Sequence, residues 1–104
     1  MIYDEQKLKL NAQLNYMELE TEGGIAFIQY KHIRNKLFFI HTEVPLAMRK
    51  KGIGTALVQK ALEYAKKNDL TIIPVCPFVQ SYLQKHKEWN NIVAPDAKRF
   101  IHNH

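Results

Sequence analysis

At 104 residues and 46% hydrophobic content, the chain has room for a single domain (1–104, core from about 14 to 89) and one modest core. A formal charge of +5 and a pI near 9.4 favour an anionic partner, which charge alone leaves open among nucleic acid, an acidic membrane surface and a polyphosphate cofactor. One cysteine excludes an internal disulfide, no Cys/His spacing resembles a zinc site, and neither a signal peptide nor an apolar run of ~18 residues stands out, so a cytoplasmic protein without metal or membrane anchor is expected.

Residues 1–12 are too weakly periodic to assign beyond a short strand or a turn of helix. From Leu14 to Thr21 apolar and polar residues alternate, Glu22-Gly23-Gly24 supplies a turn, and Ile25 to Ile33 alternates again, which predicts a β-hairpin. Arg34-Asn35 turns the chain into a third strand, Lys36 to Val44. There Leu37 and Phe39 alternate with Phe38 and Ile40, so both faces are expected to be buried and the strand to be central.

A loop over 45–52 precedes a helix to about Lys67, with Leu57, Ala61, Leu62 and Ala65 as its apolar stripe and Asn68-Asp69 as its stop. Thr71 to Cys76 is a short β-branched run. Pro77 suits a first helical turn, and Phe78, Val79, Tyr82, Leu83 and His86 recur at helical spacing. The tail from Trp89 is irregular, with Asn90-Asn91 and Pro95 as breakers, and Trp89 is expected to seal the core.

Strand, helix and strand make a parallel βαβ unit with a right-handed crossover. The carboxyl ends of its two strands then share one edge of the sheet, where ligands of such sheets bind, and His41, Glu43, the 45–52 loop and Cys76 converge there. Pro74 cannot donate a ladder hydrogen bond, so its strand is expected to part from its neighbour and leave a slot with free backbone groups. An amide-bearing chain fills such a slot as a strand would.

At the mouth of the slot, Arg49-Lys50-Lys51-Gly52-Ile53-Gly54-Thr55 is a basic, glycine-containing loop running into a helix, which suits a phosphate. The spacing is neither G-x-G-x-x-G nor the G-K-[ST] ending of a P-loop. A phosphate loop beside a slot for an amide-bearing arm describes coenzyme A. Its pyrophosphate would sit at Gly52 to Thr55, its pantetheine arm along Val44, and its sulfur near Cys76.

Arg49-x-x-Gly52-x-Gly54, with Val44-Pro45 upstream, resembles the [R/Q]-x-x-G-x-[G/A] signature of the GNAT superfamily of acyl-CoA N-acetyltransferases. His41 to Pro45, Arg49 to Leu57, Ile73 to Cys76 and Tyr82 to His86 resemble more narrowly its very short, stand-alone members that carry a Cys after the strand following the CoA-binding helix. The resemblance implies an α/β (α+β) minimal fold: a mixed, mostly antiparallel sheet with a splayed parallel βαβ pair and helices packed on it. It also implies acetyl-CoA as co-substrate, and transfer of the acetyl group to an amine on a small molecule or a protein. Many members use a helical Tyr as the acid, and Tyr82 stands about one residue from that position. Lys50 replaces a frequent glycine, which the loop should tolerate if its backbone is not left-handed.

Three residues are catalytic candidates. Cys76 sits before a helix start, where the dipole favours a thiolate, and reads as a nucleophile or as a small buried hydrophobe. Glu43 and His41 share a strand face, and either suits the base that deprotonates an ammonium, Glu43 preferred because many relatives use a carboxylate on this strand. The cofactor candidates are Val44, Arg49, Lys50, Lys51, Gly52, Ile53, Gly54 and Thr55. The competing reading is a CoA-binding module with little catalysis. A nucleic-acid binder is disfavoured by the lack of interleaved exposed aromatics, and open hairpin edges leave room for a homodimer.

Overall fold

The computed structural model describes residues 7–100; the N-terminal residues left unassigned above lie partly outside that range. Five strands follow one another across a single sheet in chain order. They are β1 (Lys9–Asn11), β2 (Tyr16–Thr21), β3 (Gly24–Ile33), β4 (Lys36–Glu43) and β5 (Thr71–Pro74). The first four are antiparallel, and β5 joins β4 in parallel. Helix α1 (Ile53–Lys67) makes the crossover, and α2 (Pro77–Lys85) follows β5. This is the mixed, mostly antiparallel α+β arrangement expected. No helix is long and apolar enough to cross a membrane among the described residues.

Alternation in the hairpin puts Met17 and Leu19 of β2 and Ala26 and Ile28 of β3 on one face, all fully buried. Leu37 and Phe39 of β4 and Ile72 of β5 continue that face. Burying each large side chain contributes about 1.5–3 kcal/mol, and truncating Phe39 at the centre would cost about 3–5 kcal/mol. Against them pack Ile53, Ala56, Leu57, Val58, Ala61, Leu62 and Ala65 of α1, a wider stripe than the four residues expected, with Val79 and Leu83 of α2 beside it.

Both helices therefore cover one face. The shortest extent of the molecule, 20 Å, is that of one sheet and one helical layer. The expectation that β4 is buried on both faces is corrected by this: Leu37 and Phe39 are enclosed, whereas Phe38 and Ile40 are only half-buried. Among the described residues, a single-layer cover leaves the far side of the sheet without helices to close it.

Helix α1 ends where the sequence places its stop. The Asn68 amide N–H reaches the Tyr64 carbonyl at 3.1 Å, its side-chain amide donates to the same carbonyl at 2.8 Å, and Asp69 turns left-handed at φ 56°. The irregular tail folds more closely than its breakers suggest. Two 3-10 turns, Lys87–Ile92 and Pro95–Phe100, flank a bridge between Val93 and Ile72, and Val93, Ala94 and Ala97 are buried. Trp89 packs against the core, with the Lys66 ammonium 6.0 Å from its ring centre.

Candidate functional site

Pairing between β4 and β5 stops at Phe39 and Pro74, while β4 runs on to Glu43. One further bond, from the Cys76 amide N–H to the Phe39 carbonyl at 2.8 Å, closes the ladder. Beyond it, Ile40 to Val44 have β3 on one side and, among the described residues, no strand on the other. The slot anticipated from Pro74 is present. Its far lip is held by Gln80 of α2, whose amide donates to the Pro74 carbonyl at 2.9 Å and the Val75 carbonyl at 3.2 Å. Those carbonyls lost their strand partner, and Gln80 supplies a substitute.

A cleft of about 380 Å³ opens at this edge, within the range of ligand sites. It is lined by Thr42, Glu43, Val44, Met48, Arg49, Lys50, Gly52, Ile53, Gly54, Thr55 and Phe78. Of the cofactor candidates only Lys51 lies outside the lining. Gly52 is left-handed at φ 80° and no side chain caps the helix it starts, so the first-turn amides of α1 have no side-chain acceptor. Ile53 contributes backbone, because its side chain is 1% exposed and belongs to the core.

Three residues of this loop show features that only the structure supplies. Lys50 is left-handed after all, at φ 66°, a conformation that costs an L-residue roughly 1–2 kcal/mol. Gly54, in the cleft lining, also leaves room for a side chain: a Cβ there would lie 2.7 Å from Cζ of Phe78. Arg49 is exposed but tethered, its Nε donating to the Val44 carbonyl at 3.2 Å and its Nη2 lying 3.7 Å from Glu43 Oε2.

The catalytic candidates separate into two groups. Gln29 pairs with His41 and Tyr30 with Phe39, so Ile40 is an extra residue that bulges β4 and reverses the facing of everything after it. Thr42, opposite the buried Ile28, joins the helix-covered face, where its hydroxyl lies 3.3 Å from the thiol of Cys76. His41 and Glu43 turn to the far face and bond to each other, Nε2 to Oε1, at 2.7 Å. Sequence parity pairs His41 and Glu43 correctly but misses that Cys76, 3% exposed, lies across the strand from them.

A family model described as GCN5-related N-acetyl-transferase matches residues 11–92. The chain belongs to this family. It is also similar to Protein NATD1 of Mus musculus, with 27% identity over 85 residues that cover 81% of this chain and 73% of that protein.

Within this N-acetyltransferase domain Tyr82 is not among the residues lining the cleft. It is buried and stacked on His86 with ring centres 4.1 Å apart. Burial raises its pKa above the usual tyrosine value, with Glu88 and Glu63 adding to the shift and a hydrogen bond with Trp89 opposing it. Thr42, Met48 and Phe78 are the lining residues that sequence reasoning missed. Phe78 was legible only as part of an apolar stripe; its 44% exposure, two positions after Cys76, marks it as part of the cleft wall.

Proposed function

We propose that the protein is an acetyl-CoA-dependent N-acetyltransferase. The observation that carries this reading is the unpaired end of β4 beside an uncapped helix start with a left-handed glycine, in a chain of the GCN5-related family. The amides of Gly52 to Thr55 and the side chains of Arg49 and Lys50 would hold the phosphates, with Lys51 adding charge at the rim. The backbone of β4 near Val44 would pair with the pantetheine arm. Phe78 would wall the cleft between them.

Transfer is direct in this reading. The amine nitrogen forms a bond to the thioester carbon, the carbon–sulfur bond breaks, and the ammonium proton passes to the His41–Glu43 pair. The separation of this pair from Cys76 favours it over an acyl-enzyme, because the thiol has Thr42 rather than His41 as its partner. Thr42, which lines the cleft, and Cys76 beside it would stand on the side where the departing thiolate takes up its proton.

The test is calorimetric titration with coenzyme A, followed by amine-dependent release of free thiol. Arg49→Glu combined with Lys51→Glu should weaken binding by tenfold or more on the order of one lost charge-assisted contact. Glu43→Gln should lower turnover by about a hundredfold with binding intact. A hydroxylamine-labile acetyl adduct abolished by Cys76→Ser would replace direct transfer by an acyl-enzyme. Coenzyme A binding without turnover on a broad amine panel would leave a binding module.

A further inference from the structure

The far face of the sheet carries an ordered set of side chains that the cofactor reading does not use. Across the strands, Glu43 stands opposite Phe27 and Phe27 opposite Glu18; in the next row His41, Gln29 and Tyr16 follow one another. Tyr16 and Phe27 are stacked diagonally, ring centres 3.9 Å apart and planes 10° from parallel, and His41 meets Phe27 edge-on at 6.5 Å. The rings are only half-buried. Glu43 belongs to this row and also lines the cleft, so the face runs without interruption into the site.

Charge is divided along the same face. Glu18, Glu20 and Glu43 lie at the end where the slot opens, with Lys9 the cross-strand neighbour of Glu18 there, while Lys31 and Lys36 lie toward the other end. Glu20 has Lys9 at 3.6 Å and Glu43 has Arg49 at 3.7 Å, whereas the Glu18 carboxylate accepts from the neutral Asn11 amide at 2.9 Å. In a chain of net charge +5, Glu18 beside two stacked rings is a place for a cation.

We infer that the acyl acceptor is a lysine-bearing polypeptide segment laid across this face, with a second basic side chain bound at Glu18 over the Tyr16–Phe27 stack. This rests on the reading of the cleft as the acetyl-CoA site. An open sheet face cannot enclose a small amine as a pocket does, but it gives an extended segment contacts at several points. Glu43 and Glu18 are two strand spacings apart, about 10 Å, which an extended chain covers in about three residues. The acetylated lysine thus meets His41 and Glu43 while a basic residue two or three positions away meets Glu18.

The experiment compares two peptides blocked at the N-terminus, each a lysine followed by two glycines and then either lysine or glutamate. The parent protein should acetylate the lysine-ended peptide with a KM about three- to tenfold lower, the span of a partly exposed cation–π and ion-pair contact. Glu18→Lys should reverse that preference, with acetyl-CoA affinity by calorimetry unchanged. Phe27→Leu, which keeps an apolar side chain on the strand, should raise KM for the lysine-ended peptide without changing kcat. In the presence of coenzyme A the peptide should shift the amides of Tyr16, Glu18 and Phe27.

Equal use of both peptides, or a preference that Glu18→Lys leaves as it was, overturns the inference. So does better turnover of small free amines than of either peptide. A dimer in sedimentation that Glu18→Lys dissociates would assign the face to a second copy instead. Loss of the cofactor reading would look different, since acetyl-CoA would fail to bind the parent at all.

Discussion

Single residues in the loop before α1 answer to different demands. Gly52 serves backbone geometry, being left-handed where α1 begins. Gly54 serves packing, by leaving room for the Phe78 ring. Lys50 serves neither, since it takes a left-handed conformation with a full side chain. Lys50 lines the cleft, and under the proposed function its charge there would offset the strain. Lys50→Gly should therefore stabilise the fold by up to about 1 kcal/mol, the relieved strain less the extra freedom of glycine in the unfolded chain. Urea unfolding would read this as a higher midpoint at unchanged slope, and a lower midpoint would show that the lysine side chain holds the loop. In the same variant, weaker coenzyme A binding would assign the lysine its electrostatic role.

At the level of elements, the slot is an interrupted ladder whose loose ends are tied individually. The last bond from the Cys76 amide and the Gln80 side chain on two carbonyls each replace part of the pairing that β5 gives up after Pro74. Gln80 is the one of these that a side-chain substitution tests directly. Gln80→Leu keeps the helical propensity of α2 while leaving both carbonyls without their donor. Stability should fall by about 1–2 kcal/mol, the two carbonyls regaining water in part. Hydrogen exchange at the Cys76 amide should accelerate, and protection equal to that of the parent would place the anchoring of β5 elsewhere.

For the whole molecule, the single helical layer decides where ionisation matters. Tyr30 and Tyr82 sit at the edges of the core, and burial holds both above the ordinary tyrosine pKa of 10.0; Tyr64 adds to the shift of Tyr30, and Glu88 to that of Tyr82. A folded-state pKa above the unfolded value means that the unfolded chain loses its proton first. The stabilisation is complete below pH ~10 and disappears as pH rises from there through the raised folded values. Tyr82→Phe should show a shallower loss of stability above pH 10 than the parent, measured as unfolding midpoints across that range. Near pH 7 it should be weaker by about 1 kcal/mol, from the lost hydrogen bond with Trp89. Parallel profiles above pH 10 would mean that the ring ionises as freely in the fold as outside it.

Much of this molecule follows from local pattern. Alternation specifies the β2–β3 hairpin, the 3.6-residue period specifies α1, Pro77 marks the start of α2, and Pro74 forecasts the slot, because each depends on neighbours a few residues away. The loop from Arg49 to Thr55 was legible for the same reason, since its chemistry is contiguous. What sequence could not supply is anything that depends on a count of residues across strands or on a contact between distant elements. The one-residue bulge at Ile40 reverses the facing of His41, Thr42 and Glu43, and parity counted from Leu37 gives the opposite answer. Phe78 over Gly54, Thr42 against Cys76, and Val93 against Ile72 join positions 21 to 34 residues apart. Those pairings exist only once the sheet has fixed which ends lie together, so the tertiary structure alone decides that the His41–Glu43 pair and the Cys76 thiol stand on opposite sides of the strand.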